Sequence, residues 1–199
     1  MNMFSSGVIT SLALLVAFTC SLQTRADTMY YYYDGDQKIP LTREPGLLAE
    51  FDPKDDYSDV VSALPDAKPV LVTQHVIIYA VPQTAQNLKS MTRLLDRSFN
   101  VSPVYHDGDS LSGPVLALPG GAIVDFKDEW DSSQVRQWAA ANGYEIQELV
   151  DLPGAQQHDL YAVIKTFAGQ DSLETSNRIH ESGAVVSASP NWWENNTGK

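Results

Sequence analysis

One stretch of the chain, from residue 122 to residue 192, constrains the fold more than any other, because strand and helix patterns alternate along it. Residues 123–126 form a short apolar run around Asp125, which is typical of a strand. Asp131 with Gln134 three positions later is a helix-capping pattern, and Gly143 is suited to end a helix in the left-handed conformation. The stretch is therefore predicted to begin with a strand and a helix over 131–143.

The rest of the stretch continues in the same way. The capping pattern recurs as Asp171 with Glu174, and Gly183 marks the end of the second helix. After the first helix the predicted elements are strands at 144–150 and 159–164, a helix at 171–183 and a closing strand at 184–186. This order of strand, helix, strand, strand, helix, strand predicts an α+β fold, a ferredoxin-like βαββαβ split sandwich.

The earlier half of the chain shows the same order of elements. It opens with a predicted hairpin, in which Tyr-rich residues 30–33 and residues 38–41 flank a turn at Asp34-Gly35-Asp36. The elements predicted after it are a strand at 47–51, a helix at 55–64, strands at 70–72 and 76–79, a helix at 85–99 and a strand at 101–105. The sequence thus predicts two such modules in tandem, joined by a connector at 107–119 that includes an apolar run at 115–118.

The amino terminus is predicted to be an export signal. The apolar run of residues 8–20 is too short to span a bilayer, and Thr24-Arg25-Ala26 precedes Asp27 as a cleavage site. We expect an exported protein, periplasmic or extracellular, whose mature chain has no membrane span. Cys20 is interpreted as part of the discarded leader rather than as a lipid attachment site, because Phe18 is bulky where a lipoprotein signal has small residues. The predicted organisation is a signal peptide at 1–26, modules at 27–110 and 111–193, and a carboxyl-terminal tail at 194–199.

Charge and residue spacing argue against several classes of function. The net charge of -12 disfavours nucleic-acid binding, which depends on Lys and Arg neutralising phosphates. The two Asp-Gly-Asp sequences at 34–36 and 107–109 are interpreted as turns. Calcium needs six or more oxygen ligands, and no Asp-x-Asp-x-Asp-Gly sequence surrounds either one. The acidic residues Asp52, Asp55, Asp56 and Asp59 are interpreted as a solvated helix start rather than a cation site. No cofactor and no metal is expected.

The stretch at 115–193 resembles the prodomain of secreted subtilisin-like serine proteases, in the version that precedes fervidolysin-type catalytic domains. The resemblance rests on residues 123–126, which match an "IxVxF" strand, and on residues 185–191, which match a closing "xVxxAxPN" segment. Asp125 departs from the family pattern, where an apolar or basic residue is usual. The chain also lacks the expected catalytic sequences, since none of its four histidines, His75, His106, His158 and His180, lies in a His-Gly-Thr setting. We therefore expect a protein that is not an enzyme.

The resemblance implies binding to a subtilisin-like serine protease, as an inhibitor and as a folding chaperone. It implies that the sheet packs on two surface helices of the protease and that an extended segment occupies the substrate cleft, with Ser187, Ala188, Ser189, Pro190, Asn191, Trp192 and Trp193 as the candidate cleft-binding residues. Two interpretations of the tryptophans stay open, since they either anchor the protease contact or fold back onto the chain's own sheet. The tyrosine run is likewise either a binding surface or a half-buried strand. The alternative functions are a structural or adhesion module of the cell envelope without a protease partner, and a truncated protease precursor.

Overall fold

The structure, a computed structural model, describes residues 30–54, 58–153 and 158–195. Within these residues the chain forms an α+β fold with two antiparallel sheets and four helices, which confirms the α+β part of the prediction. The predicted signal peptide and the last four residues lie outside the described residues. In chain order the elements are β1 (Tyr30–Asp34), β2 (Gln37–Phe51), α1 (Asp59–Ala63), β3 (Lys68–Val72), β4 (Val76–Ala80), α2 (Ala85–Leu95), β5 (Val101–Asp107), β6 (Val115–Ala117), β7 (Ala122–Asp125), α3 (Ser132–Asn142), β8 (Ile146–Pro153), β9 (His158–Ile164), α4 (Gln170–Glu181), β10 (Ser187–Pro190) and β11 (Trp193–Asn195).

The first sheet is organised around the long strand β2. Its strand order is β11-β6-β5-β2-β4-β3, and β1 pairs with the first part of β2 as the predicted hairpin. The two strands predicted at 38–41 and 47–51 are one continuous strand, with a register shift against β5 between Glu44 and Leu48. Before the shift β2 pairs with β1, over residues 37–41, and after it β2 pairs with β4, over residues 47–51.

Two units of the same connectivity are present. In the second sheet, of order β10-β7-β9-β8, the four strands of the unit β7-α3-β8-β9-α4-β10 lie in the order fourth, first, third, second. In the first sheet, the four strands of the unit β2-α1-β3-β4-α2-β5 lie in the same order. The predicted succession of elements is therefore found in both halves. The run at 115–118, placed in the connector by the sequence, supplies a strand of the first sheet.

The first helix of the second unit begins and ends as its sequence predicts. Asp131 caps α3 by accepting hydrogen bonds from the amides of Ser133 and Gln134, both at 2.8 Å. Gln134 completes the capping box by accepting from the amide of Asp131 at 2.8 Å. Gly143 then ends the helix with a φ of 73°, in the left-handed region that costs least for glycine.

The predicted cap of α4 at Asp171 is wrong. The helix begins at Gln170, and Gly169, with a φ of 76°, occupies the capping position without a side-chain bond. The amide of Gly169 donates to the carbonyl of Leu118 at 2.8 Å, and the carboxylate of Asp171 accepts from the amide of Phe167. A tertiary contact thus fixes the helix start two residues before the position that the local pattern predicts.

Two further boundaries differ from the prediction. The closing strand is β10 at Ser187–Pro190 rather than 184–186, because pairing with β7 starts only where Ser187 lies opposite Asp125. Residues 184–186 connect α4 to the sheet, with Val185 buried and Val186 exposed. Helix α2 ends at Leu95 rather than at residue 99, so Phe99 lies beyond it, and its side chain is 69% exposed.

Helix α4 packs between the two sheets and joins them. Ile179 lies in the apolar core of the second unit with Val124 and Val135. Leu173, earlier in the same helix, packs with Tyr105 and Leu118 of the first half. Burial of apolar side chains on both sides of one helix stabilises the two halves against each other.

Candidate functional site

The candidate cleft-binding residues are divided between two environments. Ser187 to Pro190 form β10, which pairs with β7 at the edge of the second sheet. Ala188 and Pro190 are buried, and the hydroxyl of Ser187 donates to the carboxylate of Asp125 at 2.5 Å. These four residues are therefore part of the module's own sheet.

Asn191 anchors the chain immediately after β10. Its backbone amide donates to the carbonyl of Gly121 at 3.0 Å, and its side-chain amide donates to the carbonyl of Gly120 at 3.2 Å. Gly120 and Gly121 have φ values of 101° and 92°, a conformation that brings their carbonyls within reach and that L side chains rarely adopt. Asn191 is thus held by the two glycines that directly precede β7.

The two tryptophans leave the second sheet and contact the first half of the chain. Trp192 meets Tyr32 edge to face, with ring centroids 5.1 Å apart. Trp193 begins β11, lies opposite Ala117 of β6, and packs at the edge of an apolar cluster of the first sheet. Both side chains are half-buried. In this structure they fold back onto the chain's own first sheet, which is one of the two arrangements left open by the sequence.

The second sheet has a half-buried apolar face opposite its helices. Along the strand pairs, Ile123 lies opposite Val163 and Tyr161 lies opposite Val150. All four side chains are half-buried, whereas their neighbours Val124 and Ala162 on the helix side are fully buried. Exposed carboxylates at Asp125 and Glu148 lie at positions of the same face. The face combines apolar side chains with an acidic border.

A groove lies between β1 and α4, with a volume of about 270 Å³. The hydroxyls of Tyr31 and Tyr33 both donate to the same carboxylate oxygen of Glu181, at 2.9 Å and 3.0 Å. Tyr33 also stacks on His180 with centroids 4.0 Å apart, and the ammonium of Lys38 lies 3.3 Å from the centroid of the Tyr31 ring. The groove is lined by Tyr30, Tyr31, Gln170, Leu173, Glu174, Asn177, Arg178 and Glu181. Tyr31 and Tyr33 are hydrogen-bonded within the chain, so the aromatic run is part of a packed hairpin.

Hydrogen bonds and burial shift the pKa values of Glu181 in α4 and of Tyr32 in β1. Hydrogen bonds from Tyr31 and then Tyr33 lower the pKa of the Glu181 carboxyl below its usual value, because they stabilise its charged form. Burial, with the nearby charge of Asp107, raises the pKa of Tyr32 to about 12. The Tyr32 hydroxyl is therefore neutral at physiological pH and can donate a hydrogen bond.

The acidic residues interpreted as a helix start serve separate contacts. A carboxylate oxygen of Asp52 lies 2.9 Å from the Nδ1 atom of exposed His75. The carboxylate of Asp59 accepts a hydrogen bond from the hydroxyl of Ser98. Buried Glu50, which the sequence did not single out, accepts from the hydroxyl of Ser58 at 2.5 Å and from the amide of Asp59 at 2.6 Å. Glu50 therefore anchors the start of α1. Asp55 and Asp56 lie outside the described residues.

The histidines occupy unrelated places in the described chain. His75 is at the surface beside Asp52, and His180 stacks on Tyr33. His106 is buried, with its Nε2 atom 3.4 Å from a carboxylate oxygen of Glu44. Within residues 30–54, 58–153 and 158–195, no group of three or more His, Cys, Asp or Glu side chains is arranged to hold a metal ion.

No protein-family model, no curated protein and no solved structure matches this chain. The helices of the described part are all too short or too polar to cross a membrane.

Proposed function

We propose that this chain is an exported, non-catalytic protein that binds and inhibits a subtilisin-like serine protease. The strand order of the second unit is the observation that supports this proposal most. Its strands lie in the order fourth, first, third, second, and its last strand, β10, continues directly into Asn191 and the two tryptophans. This order is the one that a ferredoxin-like prodomain would have, and the sequence resemblance covers the same residues. The first unit would be a second ferredoxin-like module in tandem.

The half-buried face of the second sheet is the proposed docking surface. Ile123, Val150, Tyr161 and Val163 offer apolar area, and the carboxylates of Asp125 and Glu148 can approach amino-terminal helix ends of the protease. Such an apolar centre with a charged border is the usual anatomy of a protein interface.

The arm of the chain, defined as residues 192–195, is the proposed cleft-binding part. Ser187 to Pro190 are committed to pairing with β7, so we assign them to support of the arm. An extended peptide gains affinity from main-chain hydrogen bonds and specificity from side chains that enter pockets. Trp192 and Trp193 are suited to be the anchors, because large aromatic residues dominate well-buried contacts.

A second candidate is a structural or adhesion module of the cell envelope. The packing of Trp192 on Tyr32 and the pairing of Trp193 with β6 favour it, since both tryptophans are satisfied without a partner. A chaperone role for the protease, and a role confined to a protease precursor, share the binding surface of the first proposal.

The decisive experiment is inhibition of a panel of subtilisin-like proteases by the chain from Asp27 to Lys199, followed over time. We expect tight inhibition with slow cleavage of the inhibitor. Inhibition of none of the proteases would favour the structural module.

Two variants identify the surfaces in that assay. Ile123→Glu places a charge in the proposed docking face and should weaken inhibition at least ten-fold. Val70→Glu makes the same kind of change at the exposed edge strand β3, where the side chain is 59% exposed, and should leave inhibition unchanged. Equal effects of the two changes would contradict the docking face.

A further inference from the structure

The arm already has a main-chain partner within the chain. Strand β11 pairs antiparallel with β6 of the first sheet, with Trp193 opposite Ala117, Glu194 opposite Leu116 and Asn195 opposite Val115. The side chain of Trp192 is engaged as well, through its contact with Tyr32. The half-buried tryptophans cannot fill pockets of a protease while they remain packed on the first sheet.

The arm can leave without dismantling either sheet. On the side of the second unit, the two hydrogen bonds of Asn191 to Gly120 and Gly121 are independent of the arm, so movement would start at the bond between Asn191 and Trp192. On the side of the first sheet, β6 keeps its pairing with β5, where Tyr105 lies opposite Leu116 and Val104 opposite Ala117. Release would open the outer edge of β6 and separate Trp192 from Tyr32, while the pairings of β5 with β6 and of β7 with β10 remain.

We infer that β6 is a latch that holds the protease-binding arm, so that inhibition requires the separation of β11 from β6. The inference rests on the proposed function. The apparent affinity for the protease is the affinity of the free arm multiplied by the fraction of molecules in which the arm is free. If the arm is free in roughly one molecule in a hundred, the protein binds the protease about 100-fold more weakly than it would with a permanently released arm. The first half of the chain is thereby a regulator of the second.

A reversible cross-link between the two strands tests the latch. Neighbouring pairs in an antiparallel ladder alternate between hydrogen-bonded and non-hydrogen-bonded positions, so one of two adjacent cysteine pairs has the closer spacing that favours a disulfide. The two double variants are Val115→Cys with Asn195→Cys, and Leu116→Cys with Glu194→Cys. The chain from Asp27 contains no other cysteine, because Cys20 is the only one in the sequence. Disulfide formation is followed by the loss of free thiols, and inhibition is measured before and after reduction.

A second change loosens the latch instead of locking it. Val115 pairs with Asn195 but is not among the β6 residues that pair with β5, so Val115→Pro places a residue without a backbone donor where β6 pairs only with β11. It should strengthen inhibition several-fold. Ser112→Pro, in the exposed loop before β6, is the matched control and should have no effect.

The possible results distinguish failure of the latch from failure of the proposed function. The latch is supported if the oxidised protein inhibits at least ten-fold more weakly than the same protein after reduction. Equal inhibition by the oxidised and reduced forms overturns the latch and leaves protease binding in place. Failure of both cysteine pairs to form a disulfide also overturns it, because the strands would not be paired. Absence of inhibition by the parent chain and by every reduced variant overturns the proposed function together with the latch.

Discussion

Tyr32 and Trp192 contact each other edge to face, with ring centroids 5.1 Å apart. Tyr32 belongs to the first strand of the described chain, and Trp192 lies just before the last. The two rings border an apolar cluster that also contains Leu41, Leu118 and Leu173. The contact therefore ties the leading hairpin, helix α4 and the arm to one another, and it connects the stability of the fold with the position of the arm.

A double-mutant cycle on this pair should show coupling. Aromatic pairs of this geometry contribute about 1 kcal/mol beyond the area that they bury. We expect Tyr32→Leu and Trp192→Leu each to lower the free energy of unfolding in urea, and the double variant to lose about 1 kcal/mol less than the sum of the two. Strict additivity would show that the ring contact contributes nothing.

Removal of the Glu50 carboxylate should destabilise the first unit. Glu50 is 1% exposed and accepts two hydrogen bonds, from the hydroxyl of Ser58 and the amide of Asp59. Glu50→Ala leaves the start of α1 without these acceptors, and we expect it to cost about 3 kcal/mol of unfolding free energy. Glu148→Ala, at an exposed position of β8, should change it by less than about 0.5 kcal/mol. A cost below about 1 kcal/mol for Glu50→Ala would contradict the anchoring role.

Features with local causes were predictable from the sequence. The hairpin around Gly35 and helix α3 between Asp131 and Gly143 depend on residues a few positions apart, and the structure has both. The alternation of elements in each half depends likewise on short periodic patterns.

Features that depend on contacts between residues far apart in the sequence could not be predicted from local patterns. Asp171 carries a capping pattern, but the bond of Gly169 to Leu118 moves the helix start. The pairing of β6 with β11 joins residues from separate parts of the chain, and an apolar run in a connector does not reveal its partner. Alternation places Tyr31 and Tyr33 on one side of a strand, but nothing local identifies Glu181 as their acceptor.

The contact of the hairpin with α4 should weaken at acid pH. The Glu181 carboxyl has a lower pKa in the folded protein than in the unfolded chain, because Tyr31 and Tyr33 donate to its charged form. A group of this kind stabilises the fold above its unfolded pKa, and that contribution is lost as the pH falls through the folded pKa. The stability difference between the parent and Glu181→Gln should thus be largest near pH 7 and should disappear in acid.

Titration of the Glu181 carboxyl by NMR measures the shift directly. Its midpoint should lie below the usual value for glutamate and should rise in the Tyr31→Phe, Tyr33→Phe double variant. An unchanged Glu181 midpoint in the double variant would mean that the tyrosine hydroxyls do not stabilise the carboxylate.

Two glycines at positive φ should respond differently to alanine, because only one of them is enclosed. Gly169 has a φ of 76°, and a Cβ atom there would come within 2.9 Å of the Cδ atom of Pro103 and 3.3 Å of the Cα atom of Ser102. Gly183 has a φ of 65° with nothing within 4 Å of a Cβ atom. Gly183→Ala should therefore cost only the left-handed strain, about 1 kcal/mol, whereas Gly169→Ala should cost at least twice as much through a clash between α4 and β5. Urea unfolding of the two variants measures the difference, and equal costs would show that α4 can shift away from β5 without loss of stability.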